Sequence, residues 1–186
     1  MTIRIIGGEL KGRKLVTVRG LKTRPTADRV RESIFNILGD SVRGARVLDL
    51  YAGTGAMGIE ALSRGAESVL FADDHQAALT ALKKNIKTCS LQSRANTIKW
   101  NILNNLNVIR SHSPAFDLVF LDPPYNKNMI APTLPNLDAS RCLQNKSRLA
   151  FEHSPLEPIP ENLPAFKISD RRRYGKTLVS FLSYMV

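Results

Sequence analysis

The sequence has little of several features that would point to other classes of protein. It holds two cysteines in 186 residues, Cys89 and Cys142, without CxxC spacing, which argues against a disulfide framework or a zinc site and favours a reducing, cytoplasmic compartment. The three histidines form no metal-ligand pattern, so we expect no metal. No apolar run approaches the ~20 residues of a membrane span, and the first residues lack the charged-then-apolar order of a signal peptide.

Acidic residues are scarce as well, and the resulting charge is concentrated at the two ends of the chain. Lys and Arg number 27 against 16 Asp and Glu, which gives a net charge of +11. Residues 1–31 contribute +7, residues 167–186 contribute +4, and the middle of the chain is neutral. Such a distribution suits a polyanion, either nucleic acid or an acidic membrane surface. A basic surface that is merely solvated is the alternative.

The hydrophobic pattern predicts an α/β fold in two parts. Residues 1–40 alternate around glycine-rich turns and then show helical spacing, which predicts a basic β-hairpin and a helix capped by Thr26 and ended by Gly39. Residues 41–186 alternate short apolar strands with helices, which is typical of a mostly parallel, Rossmann-like sheet. The predicted strands are 46–50, 68–72, 97–99, 117–121 and 148–152, the helices lie near 57–63, 75–88 and 103–110, and an antiparallel hairpin of 165–169 and 177–184 follows.

A glycine-rich loop follows the first strand of this alternating part. Gly53, Gly55 and Gly58 spell GxGxxG between a predicted strand and a predicted helix, so the backbone can approach a ligand and the helix start offers free N–H groups. Asp73 closes the next strand, where a carboxylate can accept hydrogen bonds from the hydroxyls of a ribose. The neighbouring Asp74 is an alternative, and the strand register favours Asp73.

The loop by itself fits NAD or FAD as well as S-adenosylmethionine. Asp49, just before the glycine turn, favours S-adenosylmethionine because a carboxylate suits the ammonium group of its amino-acid end and would repel a pyrophosphate. The alternative is that Asp49 only braces the loop.

The second motif is the tetrapeptide Asp122-Pro123-Pro124-Tyr125 at the end of the fourth strand of the alternating part. The prolines stiffen the turn and remove two N–H donors, while Tyr125 offers a flat face on which a base can stack. Asp122 and the backbone carbonyl of Pro123 can accept the two protons of an exocyclic amine, which localises the nitrogen lone pair for attack on a methyl group. A packed, purely structural turn is the alternative.

These motifs resemble those of class I S-adenosylmethionine-dependent amino-methyltransferases of nucleobases. More narrowly, the chain is similar over nearly its full length to RsmD, the bacterial small-subunit ribosomal RNA guanine-N2 methyltransferase family. The segment PTADRVRE at residues 25–32 is the most family-specific match, and YGKT at residues 174–177 is the last. The resemblance implies a class I methyltransferase sheet, S-adenosylmethionine as cofactor, and methylation of guanine 966 of 16S rRNA within a partly assembled small subunit.

The resemblance also implies roles for individual residues. Asp122 and Tyr125 would handle the flipped guanine, and Asn101 would lie near the adenine amine of the cofactor. Asp73 stands where the family commonly has Glu, one methylene longer. The full set of implied cofactor contacts is Asp49, Tyr51, Ala52, Gly53, Thr54, Gly55, Asp73 and Asn101.

The basic N-terminal segment supplies the candidate RNA contacts. Any one of these side chains could instead be simply solvated, but as a group they suit phosphate binding. They are Arg4, Lys11, Arg13, Arg24, Arg29 and Arg31. Residues 171–173, three consecutive arginines, are candidates for a second basic edge.

Three rival functions remain open at this point. A DNA adenine-N6 methyltransferase uses the same motif order but usually carries an added target-recognition domain, for which 186 residues leave no room. An NAD-dependent oxidoreductase would leave residues 122–125 without a function. A non-catalytic RNA-binding assembly factor would not need Asp122.

Overall fold

The computed structural model describes residues 3–18, 25–110, 115–124, 126–160 and 162–185, and the side chains of residues 25–27 lie outside this description. Four helices and nine strands form within these ranges. The helices are α1 (Pro25–Leu38), α2 (Ala56–Ser63), α3 (Gln76–Thr88) and α4 (Ile130–Ser140). The strands are β1 (Ile3–Arg4), β2 (Lys14–Leu15), β3 (Arg46–Leu50), β4 (Ser68–Asp73), β5 (Ala95–Lys99), β6 (Phe116–Leu121), β7 (Leu143–His153), β8 (Phe166–Tyr174) and β9 (Thr177–Tyr184).

The central sheet has seven strands in the order β5-β4-β3-β6-β7-β9-β8. β3 to β7 are parallel, whereas β9 is antiparallel to both β7 and β8. This confirms the predicted mostly parallel sheet with an antiparallel C-terminal hairpin. One apolar cluster covers the face that packs on α1, α2 and α3, and a second covers the face that packs on α4.

Two of the predicted helices differ from the structure. The helix predicted near 103–110 is only a 3₁₀ turn, Asn107–Ile109, because asparagine side chains compete for its backbone. The side-chain oxygen of Asn101 accepts the N–H of Leu103 at 3.0 Å, and that of Asn105 accepts the N–H of Asn107 at 3.0 Å, which stabilises turns instead of helix.

The N-terminal helix also begins two residues earlier than predicted, with Pro25 as its first residue, so Thr26 lies inside it rather than capping it. Proline suits this position because its φ is already helical and the first N–H of a helix has no partner.

The sequence pattern does not predict α4, which Pro132 and Pro135 obscure. Pro132 is the third helical residue, where a missing N–H is tolerated, and Pro135 lies inside the helix. The helix forms because its apolar side chains pack on the second cluster, as the complete burial of Leu134 and Leu137 shows. Tertiary packing therefore outweighs the local cost of the prolines.

The N-terminal hairpin is bound to the end of α2 through a buried carboxylate. Glu60 is fully buried, and its two oxygens accept the backbone N–H groups of Ile6 at 2.7 Å and Gly7 at 2.8 Å. Arg64 donates to the same carboxylate at 2.7 Å. The hairpin residues Ile5 and Leu15 belong to the apolar cluster of the sheet. These contacts hold the basic extension in one orientation on the α/β body.

We expect Gly8→Ala to destabilise the protein by about 2–4 kcal/mol, because the new Cβ combines overpacking with a left-handed backbone. A Cβ at Gly8, where φ is +74°, would lie 1.8 Å from the carbonyl oxygen of Ser63. Gly12→Ala is the matched control, since Gly12 has φ +86° but nothing within 4 Å of its Cβ position. Urea unfolding of both variants measures the difference, and equal losses would contradict the close-packing explanation.

Candidate active site

The candidate site lies at the carboxyl ends of β3, β4 and β6, where the chain changes direction across the sheet. From β3 the chain first builds outward through β4 to β5, and then returns to place β6 on the other side of β3. Ligands of open α/β sheets bind in the crevice at such a switch point. The register aligns Leu50 with Ala72 and with Leu121, so the residues that follow them, Asp73 and Asp122 among them, meet at one edge.

Asp49 is the most buried carboxyl group of the site, with 2% of its surface exposed. One of its oxygens accepts the N–H of Gly58 at 2.9 Å, so Asp49 does brace the glycine loop. The pKa of Asp49 is raised to about 8: burial is the main cause, the Gly58 N–H opposes the rise, and the nearby carboxylates of Asp122 and Asp73 contribute to it. A cation bound in the crevice would favour the ionised form.

Asp73 ties β4 to the glycine loop. One oxygen accepts the N–H of Gly53 at 2.7 Å, and the other accepts the N–H of His75 at 2.8 Å. Asp73 is 8% exposed, and each carboxylate oxygen keeps a second lone pair for a ligand hydroxyl. Asp74, by contrast, is exposed and lies outside this pair of bonds.

The three glycines of the loop have different surroundings. A Cβ at Gly55 would lie 2.3 Å from Leu82, and one at Gly58 would lie 2.3 Å from Phe71, so these two glycines allow α2 to pack closely on the sheet and α3. At Gly53 the nearest atom to a Cβ would be a backbone oxygen 4.0 Å away. Gly53 therefore presents the open side of the loop, where a ligand can approach the backbone.

The remaining predicted loop residues contribute mainly through the backbone. Ala52 and Thr54 are buried; the N–H of Ala52 donates to Ala72, and the carbonyl of Thr54 accepts from the Asn85 side chain at 3.0 Å. Tyr51 has a left-handed φ of 59°, uncommon for a bulky residue and frequent at functional sites. Its hydroxyl shares a 2.7 Å hydrogen bond with Thr133 of α4, which fixes the loop to the helix that sequence patterning missed.

Asn101 lies in a pocket of about 310 Å³ beside the ends of β4 and β5. Trp100 lines the same pocket and is half-buried, and its indole N–H donates to the carbonyl of Asn105 at 2.7 Å. The complete lining is Asp74, Lys99, Trp100, Asn101 and Asn104. Sequence reasoning singled out Asn101 but missed the aromatic wall, whose only signal is a lone tryptophan directly after a strand.

Asp122 follows β6 directly, and the two prolines continue the turn. Asp122 is exposed as a residue, yet the protein atoms around its carboxyl group desolvate it and raise its pKa to about 6. Pro123 is buried and Pro124 is exposed. Tyr125, the predicted stacking residue, lies outside the described residues.

The loop after the tetrapeptide is held by a carboxylate that the sequence does not reveal. Glu157 is 6% exposed and accepts the backbone N–H of Asn126 at 2.7 Å and that of Asn128 at 2.5 Å. His153 supports this segment, since its Nδ1 lies 3.0 Å from the carbonyl oxygen of Glu157 and its Nε2 lies 2.8 Å from the hydroxyl of Ser180. Burial lowers the pKa of His153, so Nδ1–H donates to the carbonyl and Nε2 accepts.

Most of the candidate RNA residues that the structure describes have side chains on the surface. Arg4, Lys11, Arg13 and Arg29 are exposed, and Arg13 also donates to the carbonyl of Thr88 at 2.7 Å. Arg24 lies outside the described residues.

Arg31 does not match its predicted role as a phosphate contact, because it is buried at 4% exposure. It donates to the carbonyl of Arg4 at 2.6 Å and to Asp28 at 3.1 Å, and it lies 3.8 Å from Glu60. Arg31 therefore joins α1 to the hairpin. Helical spacing alone does not distinguish an inward arginine from an outward one when the partner carboxylate comes from a distant helix.

The described ranges hold neither a metal-ligand cluster nor a helix of membrane-spanning length. Over residues 3–18, 25–110, 115–124, 126–160 and 162–185, no group of three or more His, Cys, Asp or Glu side chains is placed to hold a metal ion. No described helix is long and apolar enough to cross a membrane.

Solved structures with the same architecture include two bacterial proteins that match along the whole chain. The Escherichia coli protein yhhF superimposes with a TM-score of 0.87 and 27% identity, covering 100% of this chain and 99% of that one. The Haemophilus influenzae protein HI0767 gives a TM-score of 0.81 and 28% identity, with 100% of both chains covered. The fold and the crevice at the switch point are those of a class I methyltransferase.

Sequence comparison gives the family. A family model described as "Conserved hypothetical protein 95" matches residues 3–183. Curated relatives named ribosomal RNA small subunit methyltransferase D are 36% identical over 168 residues in Haemophilus influenzae (89% of this chain, 86% of the relative) and 33% identical over 163 residues in Escherichia coli K12 (86% and 80%). The chain belongs to this family, the RsmD family that its motifs resemble.

Proposed function

We propose that this chain transfers a methyl group from S-adenosylmethionine to the exocyclic N2 amine of a guanine in small-subunit ribosomal RNA, guanine 966 of 16S rRNA. The observation that carries the proposal is the position of Asp122 at the same crevice as the glycine loop, Asp49 and Asp73, in a chain whose relatives are named rRNA methyltransferases. The substrate would be presented within a partly assembled small subunit.

The donor groups of the crevice fit S-adenosylmethionine. Three carboxyl groups lie close enough for Asp122 and Asp73 to raise the pKa of Asp49, and the cofactor carries two positive groups, an ammonium and a sulfonium. Asp73 has lone pairs for the ribose hydroxyls, Gly53 leaves room beside the backbone, and the pocket of Trp100 and Asn101 suits the adenine. The bound cofactor supplies an electrophilic methyl group.

Asp122 and the turn that follows it act on the amine of the guanine. The carboxylate accepts a hydrogen bond from one amine N–H and the Pro123 carbonyl accepts a hydrogen bond from the other, which localises the nitrogen lone pair toward the methyl group. Positive charge develops on the nitrogen during transfer, and Asp122 stabilises it. The methylated nitrogen then loses one proton, which Asp122 accepts and releases to the solvent that reaches it.

Methylation of small-subunit particles that lack the modification, with labelled S-adenosylmethionine followed by nucleoside analysis, tests the proposal. We expect N2-methylguanine, and mapping of the modified RNA should give one guanine, position 966. N6-methyladenine would favour the DNA-type amino-methyltransferase instead. Absence of any transfer, together with tight RNA binding, would favour a non-catalytic assembly factor.

Cofactor affinity should rise with pH between about 6 and 8. In the free protein burial raises the pKa of Asp49 to about 8, so the carboxyl is protonated below that pH, and binding of a cation requires that the proton leave. The affinity can then change by up to about tenfold per pH unit in this window. Titration calorimetry at pH 6.0, 7.0 and 8.5 measures the change in affinity. At pH 7 we expect binding of the cofactor to release the proton of Asp49.

Two comparisons make this prediction specific to Asp49. S-adenosylhomocysteine, which lacks the sulfonium charge but keeps the ammonium group assigned to Asp49, should show the same direction of pH dependence. Asp49→Asn should bind the cofactor more weakly at pH 8.5 and lose the pH dependence. An equal affinity of the unmodified protein at pH 6.0 and 8.5 would contradict the role of the carboxylate cluster.

A further inference from the structure

The C-terminal half of β8 lies at the end of the sheet where the parallel strands have their carboxyl ends, which is also the end that holds the candidate active site. β8 is antiparallel to β9, which is antiparallel to β7, so β8 runs in the direction of the parallel strands. Arg173 pairs with Leu178, which pairs with His153 at the end of β7. Phe151, two residues earlier in β7, is level with Leu121, the residue before Asp122. The three arginines 171–173 thus flank the crevice.

β8 is an edge strand with one long basic stretch. Arg171, Arg172 and Arg173 are all exposed, and so is Lys176 in the turn that follows. One acidic side chain of the strand, Asp170, pairs with Arg172 at 3.0 Å, yet Arg172 remains 58% exposed. Each guanidinium has five N–H donors, so a single carboxylate leaves most of them available to phosphate oxygens.

The hairpin of β8 and β9 is also connected to the basic N-terminal part. The hydroxyl of Tyr174 forms a hydrogen bond with Ser33 of α1. Arg29 lies four residues before Ser33 on the same helix and is exposed, and residues four apart lie on one side of a helix. Positive charge therefore continues from β8 toward the N-terminal extension.

We propose that Arg171, Arg172 and Arg173 bind phosphate groups of the RNA strand that flanks the methylated base. β8 lies three strands from β6, and spacings of about 4.8 Å between strands give a lateral distance of about 14 Å, the rise of about four stacked nucleotides. The inference rests on the proposed function, since it requires an RNA substrate in the crevice. It adds to that function the direction in which the RNA leaves the active site, namely across β7 and β9 toward β8.

The test compares two triple variants that remove the same charge. Arg171, Arg172 and Arg173 are replaced by Gln in one variant, and Lys83, Lys84 and Lys87 of the exposed side of α3 are replaced by Gln in the control. Affinity for a 16S rRNA transcript is measured from 50 to 300 mM salt. The slope of log affinity against log salt should fall by about 2 in the arginine variant, because each lost phosphate contact to a single strand removes about 0.7.

Activity on small-subunit particles provides the second readout. The arginine variant should raise KM for the particle about tenfold, with kcat and the affinity for S-adenosylmethionine unchanged, while the lysine variant should match the unmodified protein. A single Arg172→Gln variant, which leaves Arg171 and Arg173 in place, should lower the salt slope by about 0.7. It keeps the test valid if the triple variant fails to fold.

Two failures can be told apart. If the unmodified protein methylates the particles but the arginine and lysine variants have the same salt slope, the inference about β8 is wrong and the proposed function stands. If the unmodified protein transfers no methyl group to RNA, the proposed function fails. The reason to expect an RNA strand in the crevice then fails as well.

Discussion

Asp122→Ala is expected to lower methyl transfer by at least about 10³-fold, because the variant loses both the proton acceptor and the electrostatic stabilisation of the attacking nitrogen. Cofactor binding should persist, since Asp122 raises the pKa of Asp49 and its removal makes ionisation of Asp49 easier. Single-turnover methylation of small-subunit particles and calorimetric binding of S-adenosylmethionine measure the two effects. Loss of cofactor binding in this variant would show that Asp122 belongs to the cofactor site instead.

Asp117→Asn is the matched control for this experiment. Asp117 lies near the other end of the same strand, β6, where it accepts the backbone N–H of Arg46 at 2.8 Å and its guanidinium at 3.2 Å. Its replacement should cost some stability and leave the rate per folded molecule unchanged.

The rate should also depend on pH through Asp122. Desolvation raises the pKa of this carboxyl to about 6, and only the ionised form accepts amine protons. With saturating cofactor the nearby positive charge lowers this pKa, so the rate should increase with pH and reach its plateau near or below pH 6. Asp122→Asn should abolish this limb of the profile together with most of the rate.

Replacement of Glu157 should give the second large effect. Its carboxylate holds the N–H groups of Asn126 and Asn128 at 2.7 and 2.5 Å, so Glu157→Ala releases the loop that follows residues 122–125. A displacement of about 1 Å at a reacting centre can cost about 10²-fold in rate. We therefore expect kcat to fall about 30- to 100-fold, with a smaller loss in Glu157→Gln, whose one remaining oxygen can still accept an N–H group.

A split between kcat and binding distinguishes this positioning role from general destabilisation. The affinity for S-adenosylmethionine should stay within about twofold, because the two N–H groups that Glu157 accepts belong to Asn126 and Asn128, in the loop after residues 122–125, and not to the glycine loop. Glu67→Gln, a change at an exposed glutamate, should alter neither quantity. A parallel loss of kcat, cofactor affinity and thermal stability in Glu157→Ala would contradict the proposed action on the loop.

Much of the sheet could be predicted because each strand has a strong local signal. The segments 46–50, 68–72 and 117–121 are short apolar runs bounded by polar or glycine residues, and all three form strands with nearly the predicted limits. The errors occur where local chemistry and packing disagree. Asparagine side chains convert the predicted helix near 103–110 into turns, and burial of Leu134 and Leu137 stabilises α4 despite its prolines.

The residues of the candidate site also divide into those that the sequence predicts and those that it does not. Asp49, Asp73 and Asp122 could be named from the sequence because each lies at or next to the carboxyl end of a buried strand, and the carboxyl ends of parallel strands meet at one edge. Glu157 and Trp100 could not, because nothing in their neighbouring residues identifies their partners. Arg31 illustrates the opposite error, since its sequence context is that of a basic surface and its buried partner, Glu60, comes from α2.

The sequence by itself determined the α/β architecture, the family and the two motifs that meet at the crevice, because these depend on strand and turn signals within a few residues. Only the tertiary structure decided which basic side chains remain exposed, which carboxylate holds the loop after residue 125, and where the arginines of β8 lie relative to Asp122. These features depend on contacts between residues about 30 to 140 positions apart in the chain, and such contacts form only when the sheet assembles and brings its strand ends to one edge.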